Sequence, residues 1–125
     1  MIRRVPSKPG WPLATCDRGI YVTVMWMEPE DNGGAEVTGY VIKYHGRSAF
    51  SDSDSDTVND TDSGELSVEG NTTYFQFTDQ LNEWTFYQFA VAAENAYGQG
   101  KFSQFTDYVH TGNGKYCCKL SRELL

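Results

Sequence analysis

Apolar and polar residues alternate with a period of two in several short segments, which Gly, Pro, Asn and Asp separate. This pattern is typical of half-buried β-strands. In residues 81–100, the side chains predicted to face a core are Phe89, Val91 and Ala93. The opposite face is predicted to be half-buried and holds Gln88, Ala90 and Ala92. The longest alternating segment therefore predicts an inner antiparallel strand.

Tyr87 lies at the start of this segment, six residues after Leu81. A tyrosine at the entrance of an inner strand can lay its ring on the core and return its hydroxyl to backbone near the preceding leucine. We therefore predict that Leu81 and Tyr87 are both buried.

The other alternating segments predict further strands. In residues 20–26, Trp26 is the largest residue of the predicted inward face, and Pro29 ends the strand. Tyr40 and Ile42 point inward in the next strand, whereas Lys43 is expected to face water. Shorter strands are predicted at residues 13–16, 65–69, 72–78 and 103–110.

Several short motifs occur in an order that resembles the fibronectin type III domain. They are Pro-Gly-x-Pro at residues 9–12, Val-x-Trp-x-x-Pro at 24–29, Asn-Gly-Gly…Gly-Tyr at 32–40, and a final series formed by Leu81, Tyr87, Phe89, Val91, Ala93, Asn95, Gly98, Gly100 and Ser103. The resemblance implies an all-β fold, a seven-stranded antiparallel β-sandwich of the immunoglobulin-like class. It implies a core containing Trp26, Tyr40, Ile42, Leu81, Tyr87, Phe89 and Val91.

The 125-residue length suits one domain with short tails. We predict an N-terminal linker at residues 1–7, a domain at residues 8–112 and a C-terminal tail at residues 113–125. Residues 47–64 depart from the family pattern, because they are long and acidic. Few apolar side chains and dense like charge predict a disordered insertion there.

Seven of the chain's 17 acidic residues lie between Ser51 and Glu69, and the remainder of the chain is neutral. Aspartates at every second position of the insertion suggest a calcium-binding site. The glycine at the sixth position and the glutamate at the twelfth position of a calcium-binding loop are missing, however. Ser51 and Ser53 each precede an aspartate by three residues, which makes them candidate phosphorylation sites. A neutral body with one acidic loop argues against nucleic-acid binding.

We find no pattern that predicts catalysis, a metal site or a cofactor. His45 and His110 are expected on the surface rather than beside a nucleophile. Cys117 and Cys118 lack the spacing of a zinc ligand pair. No apolar run approaches the ~20 residues of a membrane span. The chain is therefore expected to be a non-enzymatic, monomeric domain without a membrane span.

Cysteines and sequons give opposite indications about the compartment. Three cysteines imply no disulfide framework, and free thiols favour a reducing compartment. Asn59 and Asn71 each begin an N-glycosylation sequon. We expect a cytoplasmic, cytoskeletal location rather than an extracellular or cell-surface one.

The resemblance implies a structural and protein–protein interaction module of a larger multidomain protein. The Pro-Glu-Asp-Asn-Gly-Gly loop at residues 29–34 and the Ala-Glu-Asn-Ala-Tyr-Gly turn at residues 93–98 resemble those of titin-like and myosin-binding proteins, and also those of cell-surface adhesion receptors. We expect a titin-like or cytoskeletal module, and the alternative is an extracellular adhesion or receptor module. A third hypothesis is an inert scaffold that carries a calcium- or phosphorylation-responsive acidic loop. The expected partners are other proteins or neighbouring domains of the same chain.

Overall fold

The computed structural model describes residues 3–48 and 62–112, which contain eight β-strands and no helix. The strands are β1 (Gly10–Arg18), β2 (Tyr21–Met27), β3 (Gly39–Ser48), β4 (Asp62–Glu69), β5 (Tyr74–Phe77), β6 (Thr85–Asn95), β7 (Gly98–Gln99) and β8 (Val109–His110).

Two antiparallel sheets pack face to face. Sheet A has the order β1-β2-β5, and sheet B has the order β4-β3-β6-β7, with β8 also paired to β6. The predicted all-β sandwich is therefore confirmed. Of the predicted seventh strand, residues 103–110, only β8 forms, and β7 is an additional short strand. Alternation along β2 explains the packing, because Val22, Val24 and Trp26 are buried and the residues between them are not.

The core lies between the two sheets and contains all seven residues named from the sequence. Their side chains are at most 4% exposed: Trp26, Tyr40, Ile42, Leu81, Tyr87, Phe89 and Val91. The Trp26 and Tyr40 rings meet edge to face, with centroids 5.1 Å apart. Phe77 makes edge contacts with both Phe75 and Phe89, at 5.0 and 5.1 Å. Such edge-to-face pairs stabilise a core beyond the apolar area that they bury.

The outer face of sheet B is more covered than the alternation predicted. Ala90 and Ala92 are 1% and 0% exposed, so their face is buried rather than half-buried. Lys43 lies directly opposite Ala90, and its ammonium group sits 4.3 Å from the Phe102 ring centroid and 5.3 Å from that of Phe105. Lys43 is thus partly buried, and its ammonium group lies over two aromatic rings.

The predicted last strand, residues 103–110, forms a regular ladder only at Val109–His110. Upstream, hydroxyl groups replace backbone carbonyls as acceptors. The N–H of Val91 donates to Ser103 Oγ at 3.0 Å, and that of Phe89 donates to Thr106 Oγ1 at 3.1 Å. The N–H groups of Ser103 and Thr106 donate back to the carbonyls of Val91 and Phe89, both at 2.8 Å. The segment is therefore held to β6 without regular strand pairing.

Several strands extend beyond their predicted bounds. β1 covers Gly10–Arg18 rather than residues 13–16, because its pairing with β2 continues past a register shift at each end. β3 and β4 include residues 47–48 and 62–64, which were assigned to the disordered insertion. Backbone pairing to neighbouring strands orders these five positions. The rest of the insertion lies outside the described residues.

Candidate functional site

The Tyr87 hydroxyl joins the start of β6 to two other segments. It accepts a hydrogen bond from the N–H of Asn82 at 2.8 Å, and it donates to Asp62 Oδ2 at 2.5 Å. Burial, together with the hydrogen bond to Asp62, raises the pKa of Tyr87 far above its ordinary value. The tyrosine was expected to contact backbone near Leu81, and the carboxylate of Asp62 is an additional partner. This arrangement fixes the corner of the sandwich.

Residues 4–7, expected to belong to a linker, lie against two loops. The N–H of Arg4 donates to the Gly33 carbonyl at 2.9 Å, and that of Ser7 donates to the Asp31 carbonyl at 2.8 Å. A Cβ at Gly33 would lie 2.0 Å from the Arg4 carbonyl oxygen, and φ at Gly33 is +78°. Only glycine combines this approach with this conformation.

Asn95 connects the same segment to both loops. Its Nδ2 donates to the carbonyls of Arg4 and Asn32 at 2.9 and 2.8 Å, and its Oδ1 accepts from the N–H of Tyr97 at 2.8 Å. The side chain is 6% exposed, so all these bonds form away from bulk water. Asn95 therefore holds the N-terminal segment and two loops together.

An acidic pocket of about 560 Å³ opens beside this junction. Its lining residues are Glu28, Pro29, Glu30, Asp31, Asn32, Glu36, Val37 and Asn71. Asp31 forms an ion pair with Arg4, and its carboxylate accepts a hydrogen bond from the N–H of Gly33. The hydrogen bond from Gly33 is the larger cause, and the Arg4 contact the second, of a lowered pKa of the Asp31 carboxyl group. Within the described ranges, no three His, Cys, Asp or Glu side chains are placed to hold a metal ion. The pocket is thus an acidic surface without a built metal site.

The two histidines lie in aromatic contacts. The His45 ring centroid is 5.0 Å from that of Phe105, and His110 stacks on Phe86 at 4.0 Å. Among the residues that the structure describes, the buried Nε2 atom of His110 has no hydrogen-bond partner, and burial lowers the pKa of His110. Both rings are partly buried rather than on the open surface, because they pack on aromatic neighbours. Neither contact provides a nucleophile for a general base.

Sheet A carries exposed apolar side chains on its outer face. Leu13 lies opposite Met25 in β2, and Met25 lies opposite Tyr74 in β5, so the three form one row across the sheet. Their exposed fractions are 55%, 40% and 60%. Met27 and Trp11 lie nearby and are 61% and 77% exposed. We call these five residues the apolar patch.

The backbone at Trp11 is strained. Its φ is +36°, and it lies where the pairing of β1 with β2 shifts register between Gly10 and Leu13. A bulky residue rarely adopts positive φ, and such strain costs about 1–3 kcal/mol. Burial of the ring does not offset that cost, because the side chain is 77% exposed. Strained, exposed aromatic residues are typical of binding surfaces.

Cys16 on β1 is disulfide-bonded, which corrects the expectation of free thiols at this position. Its side chain is half-buried and packs against the core, with Sγ 3.4 Å from the Gly19 carbonyl oxygen. Cys117 and Cys118 lie outside the described residues. A disulfide persists mainly in oxidising compartments.

One of the four predicted modification sites falls within the described ranges. Asn71 is exposed in the turn between β4 and β5. Its Oδ1 accepts from the Tyr40 hydroxyl, and its Nδ2 donates to Glu28 Oε1, both at 2.8 Å. Ser51, Ser53 and Asn59 lie outside the described residues, as do the aspartates at positions 52, 54 and 56.

The sequence motifs did not reveal the roles of Asn95 and the apolar patch. Asn95 was part of the family motif, but its partners Arg4 and Asn32 are distant along the chain. The alternation of apolar side chains in β2 predicted that Met25 and Met27 lie on the face opposite Val24 and Trp26. Their proximity to Leu13 and Tyr74 depends on strand register, which the alternation alone does not give. None of the described residues forms a helix long and apolar enough to cross a membrane.

Solved structures with the same fold include parts of large proteins. The chain superposes on the C. elegans twitchin kinase region with a TM-score of 0.71 and 23% identity, covering 95% of this chain and 18% of that one. For domains A168–A170 of titin, the TM-score is 0.67 at 23% identity, and the match covers 87% of this chain and 33% of the titin chain. The chain thus spans at most a third of these two structures.

A single-domain structure matches over its whole length. The FN5 domain of Drosophila Lar has a TM-score of 0.63 and 25% identity, and the match covers 88% of this chain and 100% of that one. The sequence profile of the fibronectin type III domain matches residues 11–108. The chain therefore belongs to the fibronectin type III domain family.

Proposed function

We propose that this chain is a non-catalytic structural and interaction module of a larger multidomain protein, and that the apolar patch on sheet A is its contact surface. Domains of this family generally serve as non-catalytic modules within multidomain proteins. The observation that carries the proposal is the row formed by Leu13, Met25 and Tyr74 across three paired strands.

The chemistry of the patch suits a protein surface. Contiguous exposed apolar groups are uncommon on soluble domains, and they usually mark interaction sites. Methionine adapts its unbranched side chain to different partners, and aromatic residues with methionine are enriched at interface centres. The next row of the same face, Thr15, Thr23 and Gln76, is polar, and the Asp17 carboxylate accepts hydrogen bonds from Thr23 and Gln76. The partner is therefore another protein or a neighbouring domain with an apolar surface.

The parent protein is proposed to be of the titin-like or cytoskeletal type. Support comes from the loop motifs at residues 28–34 and 93–98 and from the similarity in fold to titin and twitchin segments. A second candidate is an extracellular or cell-surface module. One specific observation favours it, the disulfide at Cys16, since reducing compartments keep thiols reduced.

Two substitutions to lysine test the proposed contact surface. Leu13→Lys places an ammonium group within the patch, whereas Thr15→Lys places the same group two residues away on the same strand face. Immobilised domains are exposed to extracts of cells that express the parent protein, and retained proteins are quantified by mass spectrometry. We expect partners retained by the unmodified domain and by Thr15→Lys to be lost with Leu13→Lys. Equal retention by all three domains would contradict the proposed surface.

The two parent classes are separated by the state of Cys16 in the full-length protein. The full-length protein is isolated from its native source without a reductant and is then alkylated. Alkylation labels a free thiol and leaves a disulfide-bonded cysteine unlabelled. Complete labelling of Cys16 supports the cytoskeletal candidate. Protection that reduction removes supports the extracellular candidate.

A further inference from the structure

Asn71, Thr72 and Thr73 form a sequon in the turn that connects β4 to β5. Gly70, with φ of +85°, precedes the asparagine, and a Cβ added there would meet no atom within 4 Å. Asn71 and Thr72 are exposed. The sequon asparagine is therefore accessible from solvent.

From the exposure of this sequon we propose that Asn71 is the acceptor of an N-linked glycan, a proposal that rests on the extracellular or cell-surface candidate above and not on the cytoskeletal one. The donor class is an oligosaccharide linked to a lipid pyrophosphate. Nδ2 of Asn71 attacks the anomeric carbon, an N–C bond forms and the C–O bond to pyrophosphate breaks. Nδ2 loses one proton to solvent water, and the lipid pyrophosphate leaves with the electron pair of the broken bond. No oxidant or reductant is needed.

The hydrogen bonds of Asn71 are compatible with this modification. Oδ1 accepts the hydroxyl of Tyr40, a fully buried core residue, and the amide oxygen remains an acceptor after glycosylation. Nδ2 carries two hydrogens and donates one of them to Glu28. Glycosylation removes one hydrogen and leaves the other for this bond. The modified side chain therefore retains the acceptor for Tyr40 and one donor hydrogen for Glu28.

The disulfide at Cys16 supports the same compartment independently. Disulfides form in the oxidising lumen of the secretory pathway, where N-glycosylation also occurs. Asn71 also lines the acidic pocket with Glu28 and Glu36. A glycan at Asn71 would therefore lie at the edge of this pocket.

The decisive experiment examines the full-length parent protein from its native source. Peptides containing position 71 are treated with peptide-N-glycosidase in water enriched in ¹⁸O and analysed by mass spectrometry. We expect deamidation at position 71 with uptake of ¹⁸O. Recovery of only the unmodified Asn71 peptide overturns the proposal. Neither result depends on whether the apolar patch binds a partner.

A matched pair of variants at Thr73 tests dependence on the sequon while Asn71 and its hydrogen bonds remain. The parent protein carries Asn59→Gln throughout, which removes the other sequon. Thr73→Ser retains the hydroxyl that the sequon requires, and Thr73→Ala removes it. We expect the glycosidase-sensitive mass shift to persist with Thr73→Ser and to be lost with Thr73→Ala. Retention of that shift with Thr73→Ala would overturn the assignment to Asn71.

Discussion

The phenol of Tyr87 donates a 2.5 Å hydrogen bond to the carboxylate of Asp62, so the first residue of β4 is tied to the start of β6. A hydrogen bond to a charged acceptor contributes more than a neutral one, and Tyr87 is fully buried. For both reasons we expect this hydrogen bond to stabilise the folded domain where β4 meets β6.

Removal of the Tyr87 hydroxyl should destabilise the domain measurably. We expect Tyr87→Phe to lower the free energy of unfolding by about 1.5–3 kcal/mol, because Asp62 and the Asn82 N–H both lose a partner. Tyr74→Phe removes a hydroxyl from a side chain that is 60% exposed, and should change stability by less than about 0.5 kcal/mol. Urea unfolding measures both values. Equal stability of the two variants would show that the corner bond contributes nothing.

Truncation of Trp26 tests the packing between the sheets. The residue is 4% exposed and packs edge to face on Tyr40. We expect Trp26→Ala to cost about 3–5 kcal/mol, since it removes apolar burial and leaves a cavity. Trp11→Ala, at a side chain that is 77% exposed, is the matched control and should not destabilise the domain. A loss below about 1 kcal/mol for Trp26→Ala contradicts its assignment to the core.

The hydroxyl-mediated pairing beside β6 can be tested at Thr106. Thr106→Val keeps the shape of the side chain but leaves the buried N–H of Phe89 without its acceptor. We expect a loss of about 1–3 kcal/mol and faster amide hydrogen exchange at Phe89. Thr15→Val makes the same chemical change at an exposed position of β1 and serves as control. Unchanged exchange at Phe89 in Thr106→Val would contradict the role of the hydroxyl.

His110 should make stability depend on pH in the mildly acidic range. Burial lowers its pKa in the folded state below the ordinary value of 6.5. The unfolded chain therefore takes up this proton first as the pH falls. The contribution of neutral His110 is complete above about pH 6.5 and is lost as the pH falls toward the folded-state pKa.

The variant His110→Phe keeps an aromatic ring beside Phe86 but cannot be protonated. We expect its urea midpoint to fall less than that of the unmodified domain between about pH 7 and about pH 5. Tyr108→Phe, which also changes a ring that contacts Phe86, should keep the unmodified profile. Identical pH profiles for His110→Phe and the unmodified domain would contradict this linkage.

Local periodicity was sufficient to predict the inner strands. A strand places successive side chains on opposite faces, so the alternation in sequence predicted which residues of β2 are buried. In the structure the buried residues are Val22, Val24 and Trp26, and the residues between them are exposed or partly exposed. The same rule failed for Ala90 and Ala92. Lys43 lies opposite Ala90 and its ammonium group lies over the Phe102 ring, so the environment of this face depends on residues outside β6.

Other features depend on contacts between distant parts of the chain. Ser103 and Thr106 hold their segment to β6 with hydroxyl groups spaced by three residues, so a period-two pattern does not describe them. Asn95 binds the carbonyl of Arg4, 91 residues away. The disulfide at Cys16 could not be predicted from counting three cysteines, because cysteine number does not give geometry. The motif order nevertheless identified the family.

The central claim is that the apolar patch on sheet A is a contact surface, and oxidative footprinting of its methionines tests it most directly. Met25 and Met27 are 40% and 61% exposed in the domain alone, and exposed thioethers oxidise readily to sulfoxides. Their oxidation rates are compared between the isolated domain and the full-length parent in its native assembly. Tyr97 and Tyr108, both 44% exposed, are internal controls away from the patch. We predict strong protection of both methionines in the assembly with unchanged tyrosine reactivity. Equal methionine oxidation in the two samples would contradict the account.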